Sequence, residues 1–117
     1  MSPEELQKYL IPALIIGFFI WRFTKNKRIK KMMPDYRNQG AIVVDVRSSS
    51  EYAMGSSGGS LNIPLDQLGH RLNELDREKT IILCCASGAR SGMAAGVLKA
   101  NGFKNVINAG SWMNTMV

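Results

Sequence analysis

TIILCCASGARSGMAAGVLKA, residues 80–100, carries the reading of the fold. Its opening, residues 80–84, is an apolar and partly β-branched run, which reads as a strand buried on both faces, as in parallel sheets. Residues 91–100 are mostly small and read as a helix, with Ala94, Ala95, Val97 and Leu98 facing inward. Gly92 and Gly96 would let that helix approach a sheet, Lys99 suits its C-terminus, and Gly102 stops it. A buried strand feeding directly into a helix is the unit from which α/β sheets are built.

The flanking sequence repeats the rhythm. AIVVDV, residues 41–46, is a second buried strand. Ser48, Ser49, Ser50 and Glu51 match a capping box opening a short helix that Gly55 ends. SSGGS, residues 56–60, is a flexible loop, and residues 61–63 are a short strand closed by Pro64. Leu65, Leu68, Leu72 and Leu75, spaced three, four and three apart, predict one helix with a buried stripe. Residues 106–108 supply a further short strand. The expected architecture is α/β, a small open parallel sheet with helices on both faces, preceded by one transmembrane helix.

That helix is read from residues 9–21, YLIPALIIGFFIW, which carry no charge. Extended to residues 6–23, the segment would reach about 27 Å as a helix, close to a thin bilayer core. Tyr9 and Trp21 stand where interfacial aromatics belong, and Lys8 and Arg22 can snorkel outward. A cleaved signal peptide fits poorly, because Glu4 and Glu5 precede the run and the basic residues follow it. An interfacial helix would need a polar face that this segment lacks. The predicted organisation is a membrane anchor over 1–24, a basic juxtamembrane linker over 25–33 and a domain over 34–117. The domain is expected on the cytoplasmic side, by the positive-inside rule.

Charge supports the same division. The net charge is +6, and Arg22, Lys25, Lys27, Arg28, Lys30 and Lys31 form one run. From Pro34 onward eight basic residues face seven acidic ones, so no nucleic-acid-binding domain is expected. The two cysteines are adjacent, Cys84 and Cys85, which excludes a disulfide scaffold and a zinc quartet and fits a reducing compartment.

The chemistry is concentrated in Cys85, Ala86, Ser87, Gly88, Ala89, Arg90 and Ser91, between the buried strand and the helix. Ligands of such sheets bind beyond the carboxyl ends of the strands. The small residues let the backbone curl so that several N–H groups point inward as an anion nest, with Gly88 free to take a positive φ. The helix start and the Arg90 cation add to the positive field. All three favour a thiolate on Cys85, and the thiolate is the nucleophile. The same cradle would hold the outer sulfur of a persulfide, and that chemistry requires neither metal nor organic cofactor. Ser87 and Ser91 are candidates to hydrogen-bond the sulfur, though Ser91 serves equally as a helix cap. Cys84 should point the opposite way, into the core. Asp45 and Arg47 read as a buried supporting pair tying the strand end to the Glu51 helix. His70 falls on the exposed side of its helix.

Four motifs, in order, resemble the rhodanese family. Asp45, Val46 and Arg47 followed by Glu51 and Tyr52 resemble its D-x-R then E-[FY] motif. Gly55, with Gly59, Ser60, Leu61, Asn62, Ile63 and Pro64, resembles its G-x-x-x-G-[SA]-x-N-[IV]-P. Residues 85–91 resemble the loop C-x-x-G-x-R-S, and Ala109, Gly110 and Trp112 resemble the closing Gly-Gly and aromatic. Ser56 and Ser57 stand where the family often has His-Ile, and Ala109 replaces the first closing glycine. With Val117 soon after Trp112, a terminal helix common in the family is expected to be short or missing.

The resemblance implies a sulfurtransferase of the thiosulfate type that moves sulfane sulfur through a Cys85 persulfide. The partners it implies are a small sulfane-sulfur donor and a thiol or cyanide-like acceptor, with a protein as one such acceptor. A membrane-docked sulfur carrier or binding module without turnover is the alternative. Phosphatase or arsenate chemistry is disfavoured, since the related phosphatases carry one more residue in the loop.

Overall fold

The computed structural model describes residues 2–116. Met1 and Val117, the outer limits expected for the anchor and the domain, lie outside them. The elements are α1 (Pro3–Asn38), β1 (Ile42–Asp45), α2 (Ser49–Ala53), β2 (Leu61–Asn62), α3 (Leu65–Leu68), β3 (Thr80–Cys85), α4 (Ala89–Ala100) and β4 (Asn105–Ser111). Short 3-10 turns follow at Leu72–Glu74 and Trp112–Thr115. The four strands are parallel in the order β2-β1-β3-β4. The chain steps from β1 outward to β2 and then returns across β1 to β3. The carboxyl ends of β1 and β3 therefore flank the point where the winding reverses, the place such sheets offer a ligand.

Alternation along β3 divides the core. Ile81, Leu83 and Cys85 face α3 and α4 within a cluster that includes Val44, Leu68, Ala94 and Leu98. Ile82 and Cys84 face the other way, with Val43, Ala109, Ile29 and Met33. Each fully buried aliphatic side chain stabilises by roughly 1.5–3 kcal/mol, so both faces matter to a domain this small.

Ile29 and Met33 belong to α1, and this corrects the expected boundaries. Residues 25–33 are no linker. They continue the helix, and Met33 is fully buried against the sheet. Lys27, Arg28, Lys30 and Lys31 are exposed on the remaining faces of the helix, so charge patterning concealed a narrow apolar stripe. α1 opens with a capping box between Ser2 and Glu5, and Gln39 caps its other end. It is long and apolar enough to cross a membrane.

Three smaller differences have local causes. The predicted helix across Leu65 to Leu75 is broken into α3 and a 3-10 turn around Gly69, although Leu68 and Leu75 are buried as expected. Gly96 has open space where a side chain would project, so it permits no close approach. β4 runs beyond residues 106–108, from Asn105 to Ser111. The capping box at Ser48 and Glu51 forms as expected and opens α2.

Candidate active site

β3 ends at Cys85 and α4 begins at Ala89, two residues before the start expected at Ser91. Gly88 is the N-cap, with φ of 110°, a conformation side chains disfavour. A Cβ there would also lie 3.3 Å from the Gly110 Cα, so the turn rests tightly against the end of β4. Arg90 and Ser91 consequently sit in the first turn of α4, and residues 86–88 alone form the bend.

Cys85 is 1% exposed. Its Sγ accepts the Gly88 N–H at 2.9 Å and lies 3.4 Å from the Ser91 Oγ. Burial pushes the thiol pKa up. The Ser91 hydroxyl and the backbone amides of Ser91, Gly88 and Ser87 pull it down by more, leaving it below the ordinary 9.0. A positive helix terminus surrounds the same atom. Cys84, on the opposite face, shows the contrast. Burial, then the nearby Asp45 charge, push its thiol up to about 12. The two neighbouring thiols are thus shifted in opposite directions, Cys85 toward the thiolate and Cys84 away from it.

The Ser91 hydroxyl has one proton and three neighbours. It donates to Asn108 Oδ1 at 2.7 Å, and Gly88 O lies at 3.2 Å, with the Cys85 sulfur as the third. A protonated Cys85 can donate to Ser91 Oγ, and an ionised one can accept the hydroxyl proton instead. Asn108 is itself fixed, since its Oδ1 accepts the Gly110 N–H at 3.0 Å and its Nδ2 donates to Gly88 O at 3.3 Å.

The Arg90 cation stays within electrostatic range of the Cys85 sulfur, as expected, but its hydrogen bonds go elsewhere: its two terminal nitrogens bind both Glu51 oxygens, at 2.6 and 2.9 Å. The Arg90 bonds, with those from Ser48, hold the Glu51 carboxyl down to about 2. The pair clamps the start of α4 to α2, and Arg90 lines a cavity of about 520 Å³ with Ser48, Ser49 and Asp66. Ser87 departs from expectation too. It is exposed, and it contributes its amide to Cys85 rather than its hydroxyl. Ala86 and Ala89 are exposed on the rim.

Asp45 and Arg47 form the buried pair anticipated from the sequence, at 2.8 Å. Arg47 also donates to Gly55 O at 2.7 Å and stacks on Trp112, 4.7 Å from the ring centroid. They brace the bend beside the cysteine loop and do not touch the sulfur. His70 is exposed beyond α3. Among the described residues, no group of His, Cys, Asp and Glu is placed to hold a metal ion.

Three contributors were not anticipated. From the sequence Asn108 reads only as the end of a short strand, and its polar side chain within that strand is the available signal. Glu51 reads from the sequence as a capping residue, and in the structure it also binds Arg90. Arg22 of α1, far away in sequence, donates to the Ser87 carbonyl at 2.9 Å, and nothing local in the sequence indicates this.

Residues 25–114 match the family model described as Rhodanese-like domain. The chain belongs to the rhodanese-like family. It is 35% identical over 105 residues to the uncharacterized protein YqhL of Bacillus subtilis, covering 85% of this chain and 82% of that one. The putative sulfur carrier protein YrkF of the same organism is 44% identical over 66 residues, 56% of this chain and 36% of YrkF. Among solved structures, a rhodanese with anions from E. coli superposes with a TM-score of 0.62 at 30% identity, over 66% of this chain and 94% of that chain. The rhodanese-like fold is thus a sheet whose loop presents Cys85, within a family of sulfurtransferases and sulfur carriers.

Proposed function

We propose that this rhodanese-like protein is a sulfurtransferase in which Cys85 carries sulfane sulfur as a persulfide. The observation that carries this reading is the Gly88 amide aimed at the Cys85 sulfur at 2.9 Å, in a loop whose donors outweigh burial and favour the anion. With thiosulfate as donor, the Cys85 thiolate attacks the outer sulfur. A new S–S bond forms, the bond to the sulfonate sulfur breaks, and sulfite leaves with the electron pair. A thiol or cyanide acceptor then attacks the outer sulfur, and Cys85 departs as thiolate. The amides of Ser87, Gly88 and Ser91 would stabilise negative charge at each stage, a form of electrostatic preorganisation.

Full-length protein incubated with thiosulfate and then cyanide should yield thiocyanate, and Cys85→Ala should abolish it. A second reading, a carrier without independent turnover, draws on the likeness to a putative sulfur carrier. Persulfide loading without thiocyanate release would favour it. Failure of any sulfane donor to load Cys85 would dispose of both.

We further infer that residues 6–23 of α1 cross a bilayer with the domain on the cytoplasmic side. Support comes from the exposed apolar surface of that segment, a mean hydropathy of 1.3 over its best 18-residue window, and the basic residues that follow.

A further inference from the structure

α1 turns through Gly40 directly into β1, so helix and strand run in opposite directions. Residues progressively earlier in α1 therefore lie progressively closer to the carboxyl ends of the strands. The contacts follow that order. Met33 and Ile29 pack on the sheet. Asn26 Oδ1 accepts from Asn114 Nδ2 at 3.1 Å. Arg22 reaches the Ser87 carbonyl of the cysteine loop at 2.9 Å. Beyond Arg22 the helix leaves the domain, and its large apolar residues from Leu6 to Trp21 are 51–67% exposed. The molecule is accordingly 57 Å long and 30 by 28 Å across.

The apolar segment thus departs from the end of the domain that holds Cys85. At the junction lies a cleft of about 340 Å³ whose lining includes Trp21, Arg22 and Lys25 of α1 and Ser87, Gly88 and Gly110 of the domain. Two cations and no carboxylate line it, at the depth where Arg22 marks the edge of the apolar run. Helical Trp and basic residues at such an edge are matched to the headgroup layer.

We propose that the cysteine-loop end of the domain is docked on the bilayer surface, with an anionic phospholipid headgroup seated in the cleft between Arg22, Lys25 and the backbone of Ser87 and Gly88. Cys85 then works within the headgroup layer, and its sulfur partners meet it there rather than in bulk solvent. The proposal rests on the reading that residues 6–23 span the membrane. It does not depend on which donor loads the thiol.

The test uses the full chain in vesicles of phosphatidylcholine with phosphatidylglycerol, carrying a nitroxide on headgroups of both leaflets. With Trp21→Phe, Trp112 is the only indole, and it follows the carboxyl end of β4. It should lose most of its fluorescence. A variant with Trp21→Phe, Trp112→Phe and Lys104→Trp places the indole beside the amino end of β4, and it should keep most of its own. Equal quenching at the two positions overturns the docking. Arg22→Gln with Lys25→Gln should relieve quenching of Trp112, each charge contributing about fivefold to the docked population. Arg22→Lys with Lys25→Arg should restore it. No relief by the neutral pair overturns the headgroup seat. A chain that does not co-float with vesicles overturns the anchor, and the docking with it. Persulfide on Cys85, measured by mass in the same samples, reports separately on sulfur chemistry.

Discussion

The Cys85 thiol is poised between two opposed effects, burial that disfavours its charge and four donors that favour it. Ser91 is the donor with the largest pull, so Ser91→Ala should raise the thiol pKa back toward its ordinary value. Hydrogen bonds to charged groups contribute roughly 1.5–3 kcal/mol, so alkylation of Cys85 near neutral pH should slow by about tenfold or more. Stopped-time alkylation with site-resolved mass spectrometry measures this, and Cys84 in the same digests should stay unmodified in the folded protein. An unchanged Cys85 rate in Ser91→Ala would remove Ser91 from the cradle. At Glu51 the sign of the pH dependence is fixed by its depressed carboxyl. The contribution of the Glu51–Arg90 pair to stability is fully present above the ordinary value of 4.5 and is lost as pH falls toward about 2. Melting temperatures of the native protein and Glu51→Gln should therefore differ above that window and converge below it. The pair is partly exposed, so the difference should be small.

At the scale of elements, α1 serves two environments. Its residues 9–21 are apolar all round, and its second half completes the sheet's outer face through Ile29 and Met33. A chain begun at Pro34 would uncover Val43, Ile82 and Ala109, and Met33 alone should cost about 2–5 kcal/mol by analogy with large-to-small core changes. A chain begun at Lys25 keeps those contacts. Chemical denaturation should find the longer chain cooperative and the shorter one strongly destabilised; equal midpoints would show that the helix is dispensable to the core. This also explains what the sequence concealed. β1, β3, α2 and the cysteine loop were legible because each follows from local pattern: β-branched runs, a capping box, a glycine at the bend. The helical nature of residues 25–33 was not, because two buried side chains among five charged neighbours leave little periodic signal. The break after Leu68 was hidden for the opposite reason, since a four-leucine stripe can be buried by two short turns as well as by one helix. Asn108 and Arg22 became visible only when the sheet and helix brought distant segments together.

On the scale of the whole molecule, a small rhodanese-like domain hangs from an apolar helix that emerges beside its cysteine loop. A reporter fused after Val117 should read out cytoplasmic, and a signal from the far side of the membrane would reverse the proposed topology. The most direct measurement is intact and peptide-level mass of the full-length protein after exposure to thiosulfate. One additional sulfur atom on Cys85, removable by cyanide and missing in Cys85→Ala, is the predicted result. No added sulfur, or sulfur found on Cys84 instead, would contradict it.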